Sequence, residues 1–175
     1  MTDETTNQGE TGNGAAQPAD QPAPSLRIIS HFVRDLSFEN VAAIKGVTSS
    51  ARPEINVTVN LDGAPTSENR FTVAMKINAK AEADGQTRFL VELDYVGIFE
   101  ILNVPQEHIH PFLFIECPRQ LLPFARRVVS DVTRDGGYPP LMLDNVDFAA
   151  LYRQRLVELQ AQQSAQGETP PTAEA

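Results

Sequence analysis

Residues 71–101 read FTVAMKINAKAEADGQTRFLVELDYVGIFEI, and this stretch decides the fold. Phe71, Val73, Met75, Ile77 and Ala79 alternate with Thr72, Lys76, Asn78 and Lys80. After Asp84-Gly85 the alternation resumes: Phe89, Val91, Leu93 and Tyr95 share one side, while Leu90, Glu92 and Asp94 share the other. Successive side chains of a β-strand point to opposite faces, so period two predicts strands. Asp-Gly between two such runs is a hairpin signal, because both residues tolerate the positive φ of a tight turn. The stretch predicts two antiparallel strands with one apolar face and one polar face.

Upstream, INVTVNL (55–61) alternates in the same way, with Ile55, Val57, Val59 and Leu61 on one side. Asp62-Gly63 then predicts a turn. LRIISHFVRDLSF (26–38) places Leu26, Ile28, Phe32, Leu36 and Phe38 on one side and His31, Asp35 and Glu39 on the other. Four strands with a single apolar face predict an antiparallel sheet covered on one side, its other side meeting water or a partner.

Downstream the period changes. After a proline-bounded stretch from Pro105 to Pro118, Leu121, Leu122, Phe124, Ala125, Val128, Val129 and Val132 recur at helical spacing. Pro123 belongs to the first turn or kinks the helix, and Gly136-Gly137 ends it. A last helix carries Phe148, Leu151, Tyr152, Leu156 and Leu159 on one stripe, with Asn145 or Asp147 to cap it. The fold class is α+β: a four-stranded antiparallel sheet with helices packed on one face. The helical stripes exceed what one sheet face needs, which points to surface shared between copies of the chain.

The 175 residues suit one domain, expected at 25–162. Residues 1–24 and 163–175 hold too few large apolar residues to offset ordering entropy, so both are expected to be disordered tails, the first acidic. The net charge is −9, which argues against nucleic acid, since phosphate binding needs a surplus of Lys and Arg. MTDETTNQG has neither the basic nor the apolar region of a secretory signal. No apolar run approaches the roughly 18 residues of a membrane span. With one cysteine, Cys117, a soluble cytoplasmic protein is expected, with no membrane insertion.

A search for catalytic chemistry returns little. Neither nucleotide loop is present, and no G-x-S-x-G elbow presents a serine. Cys117 reads as a buried small hydrophobe. Glu107, His108, His110 and Cys117 form the one candidate metal cluster, but their order and spacing match no standard zinc module. No metal, no cofactor and no catalytic residue are expected. Among the outward carboxylates, a solvated acidic face is the plain reading. Leu90 beside Glu92 favours instead a surface that recognises a peptide with both apolar and basic residues.

VRDLSFEN (33–40), DYVGIF (94–99), CPRQLLPFAR (117–126), DGGYPPLMLDNVDF (135–148) and FAALYRQRL (148–156) together resemble the SecB family of protein-export chaperones. The resemblance spans residues 26–160. It implies a SecB-like fold and a homotetramer built as a dimer of dimers. It also implies an ATP-independent holdase that keeps unfolded precursor proteins competent for translocation and delivers them to the SecA motor, whose basic, zinc-bearing C-terminal tail docks on the exposed sheet face. By motif, the SecA-binding residues become Asp35, Glu39, Leu90 and Glu92. The client-binding residues become Phe148, Leu151, Tyr152 and Leu156, helped by loop residues 42–53. Family members often carry a tryptophan before the Pro-Glu that opens the second strand, whereas here Ala51 occupies that area and the chain has no Trp. A SecB-like chaperone dedicated to one client, such as an antitoxin, is the alternative. A small metal-dependent enzyme is the remote one.

Overall fold

The computed structural model describes residues 22–46 and 51–166. In chain order these form β1 (Ser25–Glu39), α1 (Val41–Lys45), β2 (Glu54–Ser67), β3 (Arg70–Ala83) and β4 (Gln86–Leu102). They continue as α2 (Gln106–Pro111), a π-helical turn (Phe112–Glu116), α3 (Cys117–Asp135) and α4 (Phe148–Gln166). One antiparallel sheet runs in the order β1-β4-β3-β2, so the central strands are the two joined at Asp84-Gly85. Both turn residues have positive φ, 54° and 71°, as the hairpin signal predicted. Most of residues 1–24 and 163–175 lie outside the described residues, while the backbone of α4 continues to Gln166.

The core lies between the sheet and α3. Met75, Ile77, Val91, Leu93, Tyr95 and Phe99 from the central strands meet Leu121, Leu122, Ala125 and Val129. α3 lies against the sheet at Gly97 through Leu121. A Cβ there would stand 2.7 Å from Leu121 and 2.6 Å from the Phe99 ring, so only glycine admits the helix at that height.

The periodicity reading fails in β1. The pairing of β1 with β4 skips a residue between Ile28 and Ser30 and again between Val33 and Asp35. An extra residue in one strand moves everything beyond it to the opposite face. Phe32, expected inward, is therefore opposite Val96 on the water-facing side and 45% exposed. His31, expected outward, faces the helices: its ring centre lies 4.2 Å from that of Phe124, and its Nδ1 is 2.7 Å from the Tyr95 hydroxyl. The second bulge restores the phase, so Leu36 and Phe38 face inward and Asp35 and Glu39 outward.

Asp62-Gly63 is also not a turn. β2 runs through it, and the hairpin closes at Glu68-Asn69, with Ser67 opposite Arg70. Gly63 lies close beneath Phe114: a Cβ there would stand 3.3 Å from the ring, which would have to shift by a few tenths of an ångström. The stretch bounded by Pro105 and Pro118 is helical from Gln106 and continuous with α3. Pro118 has no N–H to donate, and just before it the N–H of Cys117 reaches the carbonyl of Phe112, five residues back. A proline inside a helix removes a bond and crowds the carbonyl four residues back, and the ladder widens into a π turn beside it. Pro123 lies inside α3 on its exposed side.

Loop 136–147 returns the chain across the core. Asn40 ties it to the end of β1: its Nδ2 donates to the Gly136 carbonyl at 2.9 Å, and its Oδ1 accepts from the Tyr138 hydroxyl and from the N–H of Ala43. The Asp147 carboxylate caps α4, accepting from the N–H of Ala150 at 2.9 Å. The predicted stripe of α4 is buried only in its first two turns; Leu156 and Leu159 are exposed.

Two candidate binding surfaces

The outward sheet face carries the first surface. Pairing places Glu39 opposite Leu90, Ser37 opposite Glu92 and Asp35 opposite Asp94, so the sequence-predicted quartet occupies neighbouring positions on β1 and β4. Neutralisation is uneven across this face. Arg34 holds Asp94 at 2.6 Å, Lys76 holds Asp62 at 3.0 Å and Lys80 holds Glu82 at 2.8 Å. The carboxylates of Asp35, Glu39 and Glu92 are exposed and make no hydrogen bond or ion pair among the described residues. Beside them Leu90 is half-buried and Phe32 exposed. The result is a strip of unpaired negative charge edged by apolar side chains, complementary to a basic segment with apolar residues.

The second surface is a trough between the edge strand β2, the start of α4 and loop 139–147. It comprises two clefts, of about 760 and about 580 Å³, that share Val57, Val59, Leu151 and Gln154. The first adds Leu61, Phe114, Tyr152 and Arg155. The second adds Ile55, Leu141, Met142 and Val146. Phe114 and Tyr152 stack with ring centres 6.3 Å apart, and His110 Nδ1 lies 2.9 Å from the Tyr152 hydroxyl. The trough stays open because α3 packs chiefly over β4 and leaves β2 uncovered: Ile55 and Val57, on the core-facing side by parity, are 38% and 40% exposed.

The backbone of β2 adds to this surface. Arg155 of α4 donates from Nη1 to the carbonyl of Leu61. In an antiparallel strand the N–H and C=O of one residue point to the same side, and the side alternates with each residue. The polar groups of Ile55, Val57 and Val59 therefore share Leu61's direction, away from β3 and towards the free edge. Ile55, Val57 and Val59 thus line the trough with apolar side chains and turn their backbone groups to an edge that pairs with no other strand among the described residues.

Of the four residues assigned to clients, Leu151 and Tyr152 line the trough. Phe148 does not, since at 1% exposure it is a core residue that helps anchor α4. Leu156 is exposed but lines neither cleft. In segment 42–53, Ala42 is the buried residue of α1, and residues 47–50 lie outside the described residues. Sequence reasoning missed Ile55, Val57, Val59, Phe114 and Met142. Alternation assigns the first three to a core face, and nothing local marks that face as uncovered.

The histidines of the proposed metal cluster diverge. His108 and His110 lie on α2 rather than on a strand, and residues two apart on a helix point about 200° apart. No group of three or more His, Cys, Asp or Glu is arranged to hold a metal among the described residues. Burial, reinforced by the nearby Glu116 carboxylate, pushes the Cys117 thiol up to about 12. No described helix is long and apolar enough to cross a membrane.

Residues 19–159 match the family described as preprotein translocase subunit SecB. The protein-export protein SecB of Dinoroseobacter shibae is 57% identical, over 89% of this chain and 95% of the relative. That of Parvibaculum lavamentivorans is 49% identical, over 89% of this chain and 92% of the relative. Among solved structures, a Mycobacterium tuberculosis SecB-like chaperone in complex with a peptide from an antitoxin superposes with a TM-score of 0.53. It covers 69% of this chain and 90% of its own, at 15% identity, a likeness of fold. Fold and sequence agree, and the chain belongs to the SecB family of protein-export chaperones.

Proposed function

We propose that the trough along β2 holds unfolded precursor proteins and that the outward strip of Asp35, Glu39, Leu90 and Glu92 docks the SecA motor through its basic, zinc-bearing C-terminal tail. The observation that carries this reading is the coincidence of apolar side chains and unpaired backbone groups at Ile55, Val57 and Val59. An unfolded chain offers two features independent of its detailed sequence: scattered apolar side chains and a backbone of donors and acceptors. An edge strand that lines an apolar trough meets both, the first by burial and the second by strand addition. Clients are thus selected by being unfolded, and holding them needs no nucleotide, only mass action on the unfolded state.

A homotetramer, a dimer of dimers working in the cytoplasm, fits the surfaces left open. Val33 and Leu36 on the inner face of β1 and Phe124 on α3 are exposed beside one another's elements, apolar area of the kind that a second copy covers. Several troughs on one body raise the effective concentration of each for a client already held by another. A chaperone dedicated to one client has only a likeness of fold behind it, whereas relatives at 49% and 57% identity carry the protein-export name. For a metal-dependent enzyme, no group of three or more His, Cys, Asp or Glu among the described residues is arranged to hold the metal.

The test is to mix the protein, without ATP, with a denatured slow-folding precursor and follow refolding. Arrest at stoichiometric protein, relieved by SecA, is expected; refolding at the unassisted rate overturns the reading. Asp35→Lys or Glu92→Lys is expected to weaken SecA binding, in a salt-dependent manner, and to leave precursor binding intact. Equal loss of both activities would mean that the two surfaces are not separate.

A further inference from the structure

One carboxylate of the outward face is withheld from the docking strip. The second bulge of β1, between Val33 and Asp35, sets two consecutive residues, Arg34 and Asp35, against the single residue Asp94 of β4. Both therefore lie on the outward face, where strict alternation would send one of them inward. Arg34 takes Asp94: its Nε and Nη2 donate to one Asp94 oxygen, Oδ2, at 3.0 and 2.6 Å. The Asp94 side chain is only 16% exposed, and its other oxygen, Oδ1, is buried and meets no donor among the described residues. On the opposite flank Asp94 pairs with Lys76 of β3, whose Nζ turns away to Asp62 of β2 at 3.0 Å. Arg34, Asp94, Lys76 and Asp62 thus form a band of alternating charge that crosses all four strands. On one side of the band lie Glu92, Leu90 and Glu39, with Asp35 level with it. On the other the face turns apolar: Phe32 is opposite Val96, and Val96 and Ala74 are buried although they lie on the water-facing side.

We infer that Arg34 is a specificity-determining residue that ends the docking strip, so that a docked basic segment is read at Asp35, Glu39 and Glu92 and no further along β4. The inference rests on reading the strip as the site of a basic partner. Without Arg34, Asp94 would continue the negative charge beyond Glu92 by one strand period, about 7 Å. A partner's cation gains nothing from Asp94 as the pair stands, because Oδ1 is buried and Oδ2 is held twice. Evicting Arg34 breaks a pair whose carboxylate is largely out of water, which costs more than one exposed contact returns. The band therefore sets how many basic side chains the strip rewards. A segment with three suitably spaced cations fills it, while a fourth meets a neutral band and then Phe32. This separates the short basic stretch that fits the strip from longer polycations, which an uninterrupted acidic face would hold more tightly with each added charge.

The test uses the full chain and two labelled peptides that carry three or four lysines, successive lysines being separated by one residue, with binding followed by fluorescence anisotropy. The readout is the ratio of the two dissociation constants, and the parent is expected to bind both peptides alike. Arg34→Gln uncovers Asp94 and is expected to tighten the four-lysine peptide about two- to fivefold relative to the other, the scale of one exposed ion pair. This gain should fade at high salt. Arg34→Gln combined with Asp94→Asn should restore the parent ratio. Arg27→Gln is the control for net charge: it frees Glu100 at the far end of the same two strands, and the ratio should stay where it is. The pair faces water, so thermal melts are expected to show Arg34→Gln folded. Arg34→Lys keeps the charge but not the two-pronged hold on Oδ2; a smaller rise in the same direction is expected, and this variant carries the test if Arg34→Gln does not fold. An unchanged ratio, an equal rise in Arg27→Gln, or a rise that persists without Asp94 overturns the inference. If the three-lysine peptide does not bind the parent, or binds Glu92→Gln just as tightly, the docking reading falls and the inference with it. If Glu92→Gln weakens that peptide while the ratio never moves, the boundary at Arg34 alone is wrong.

Discussion

Asn40 shows how one side chain joins distant parts of the sequence. Its amide accepts from Ala43 and Tyr138 and donates to Gly136, closing β1, α1 and the loop after α3 on one another. Phe38, two residues earlier, packs where a Cβ on Gly136 would stand 2.1 Å from its ring. VRDLSFEN and DGGYPP are thus two sides of one contact. Cys117 is a different case, a group whose chemistry is suppressed by its place in the core. Its ordinary value of 9.0 applies to the unfolded chain, while desolvation raises it to about 12 in the folded one. The folded state therefore holds this proton more tightly. Its contribution is fully present below about pH 9 and is lost as pH rises from 9 towards 12. Burial raises the Tyr95 phenol as well, against a weaker opposing pull from Arg127, so it adds to the alkaline loss at higher pH. Urea midpoints are expected to be flat from pH 7 to 9 and then to fall, and to fall less steeply in Cys117→Ala. Parallel curves for the two proteins would show that the thiol is not the titrating group.

At the scale of the element, α3 determines what each strand becomes. It packs chiefly over β4, with Leu121 against Gly97, and leaves the two edge strands to other uses: β2 lines the trough, and β1 keeps Val33 and Leu36 open. Replacing Gly97 should be costly although valine suits strands, because the new Cβ meets both Phe99 and Leu121. Gly97→Val is expected to lower stability by about 1–3 kcal/mol, the usual cost of overpacking, read as a fall in the urea midpoint. A midpoint at or above that of the parent would mean that α3 stands further from the sheet than the Leu121 contact implies. The bulges of β1 act at the same scale. Two extra residues send His31 to Tyr95 and Phe124 while returning Asp35 and Glu39 to the outward face. The docking strip depends on there being two shifts rather than one.

At the scale of the molecule, the two surfaces lie on different sides of the body, the acidic strip on the uncovered face and the trough along the β2 edge. On the proposed reading, this separation lets one protomer hold a client and a motor together. The remaining open area, on β1 and α3, is where copies of the chain are proposed to meet. Phe124→Asp places a charge there without entering the core of the protomer. It is expected to reduce the assembled mass in light scattering while leaving the circular dichroism spectrum unchanged. An assembly of unaltered mass would move the contact between copies to another face.

Sequence by itself determined the four strands and their central hairpin, the α+β class, the helix stop at Gly136-Gly137 and the outward position of Asp35, Glu39, Leu90 and Glu92, and it narrowed the cap of α4 to Asn145 or Asp147. These follow from short-range periodicity and turn chemistry, which are local properties of the chain. It misread Phe32 and His31, because a bulge changes the phase of a strand without a marker in the alternation. It read Asp62-Gly63 as a turn, because a glycine kept for the approach of Phe114 looks the same as one kept for positive φ. Only the tertiary structure decided which apolar residues are core and which are surface: Phe148 is sealed while Ile55 and Val57 are open. The pattern shows that a face is apolar, but the placement of α3 and α4 relative to the sheet, a matter of long-range packing, decides whether anything covers it.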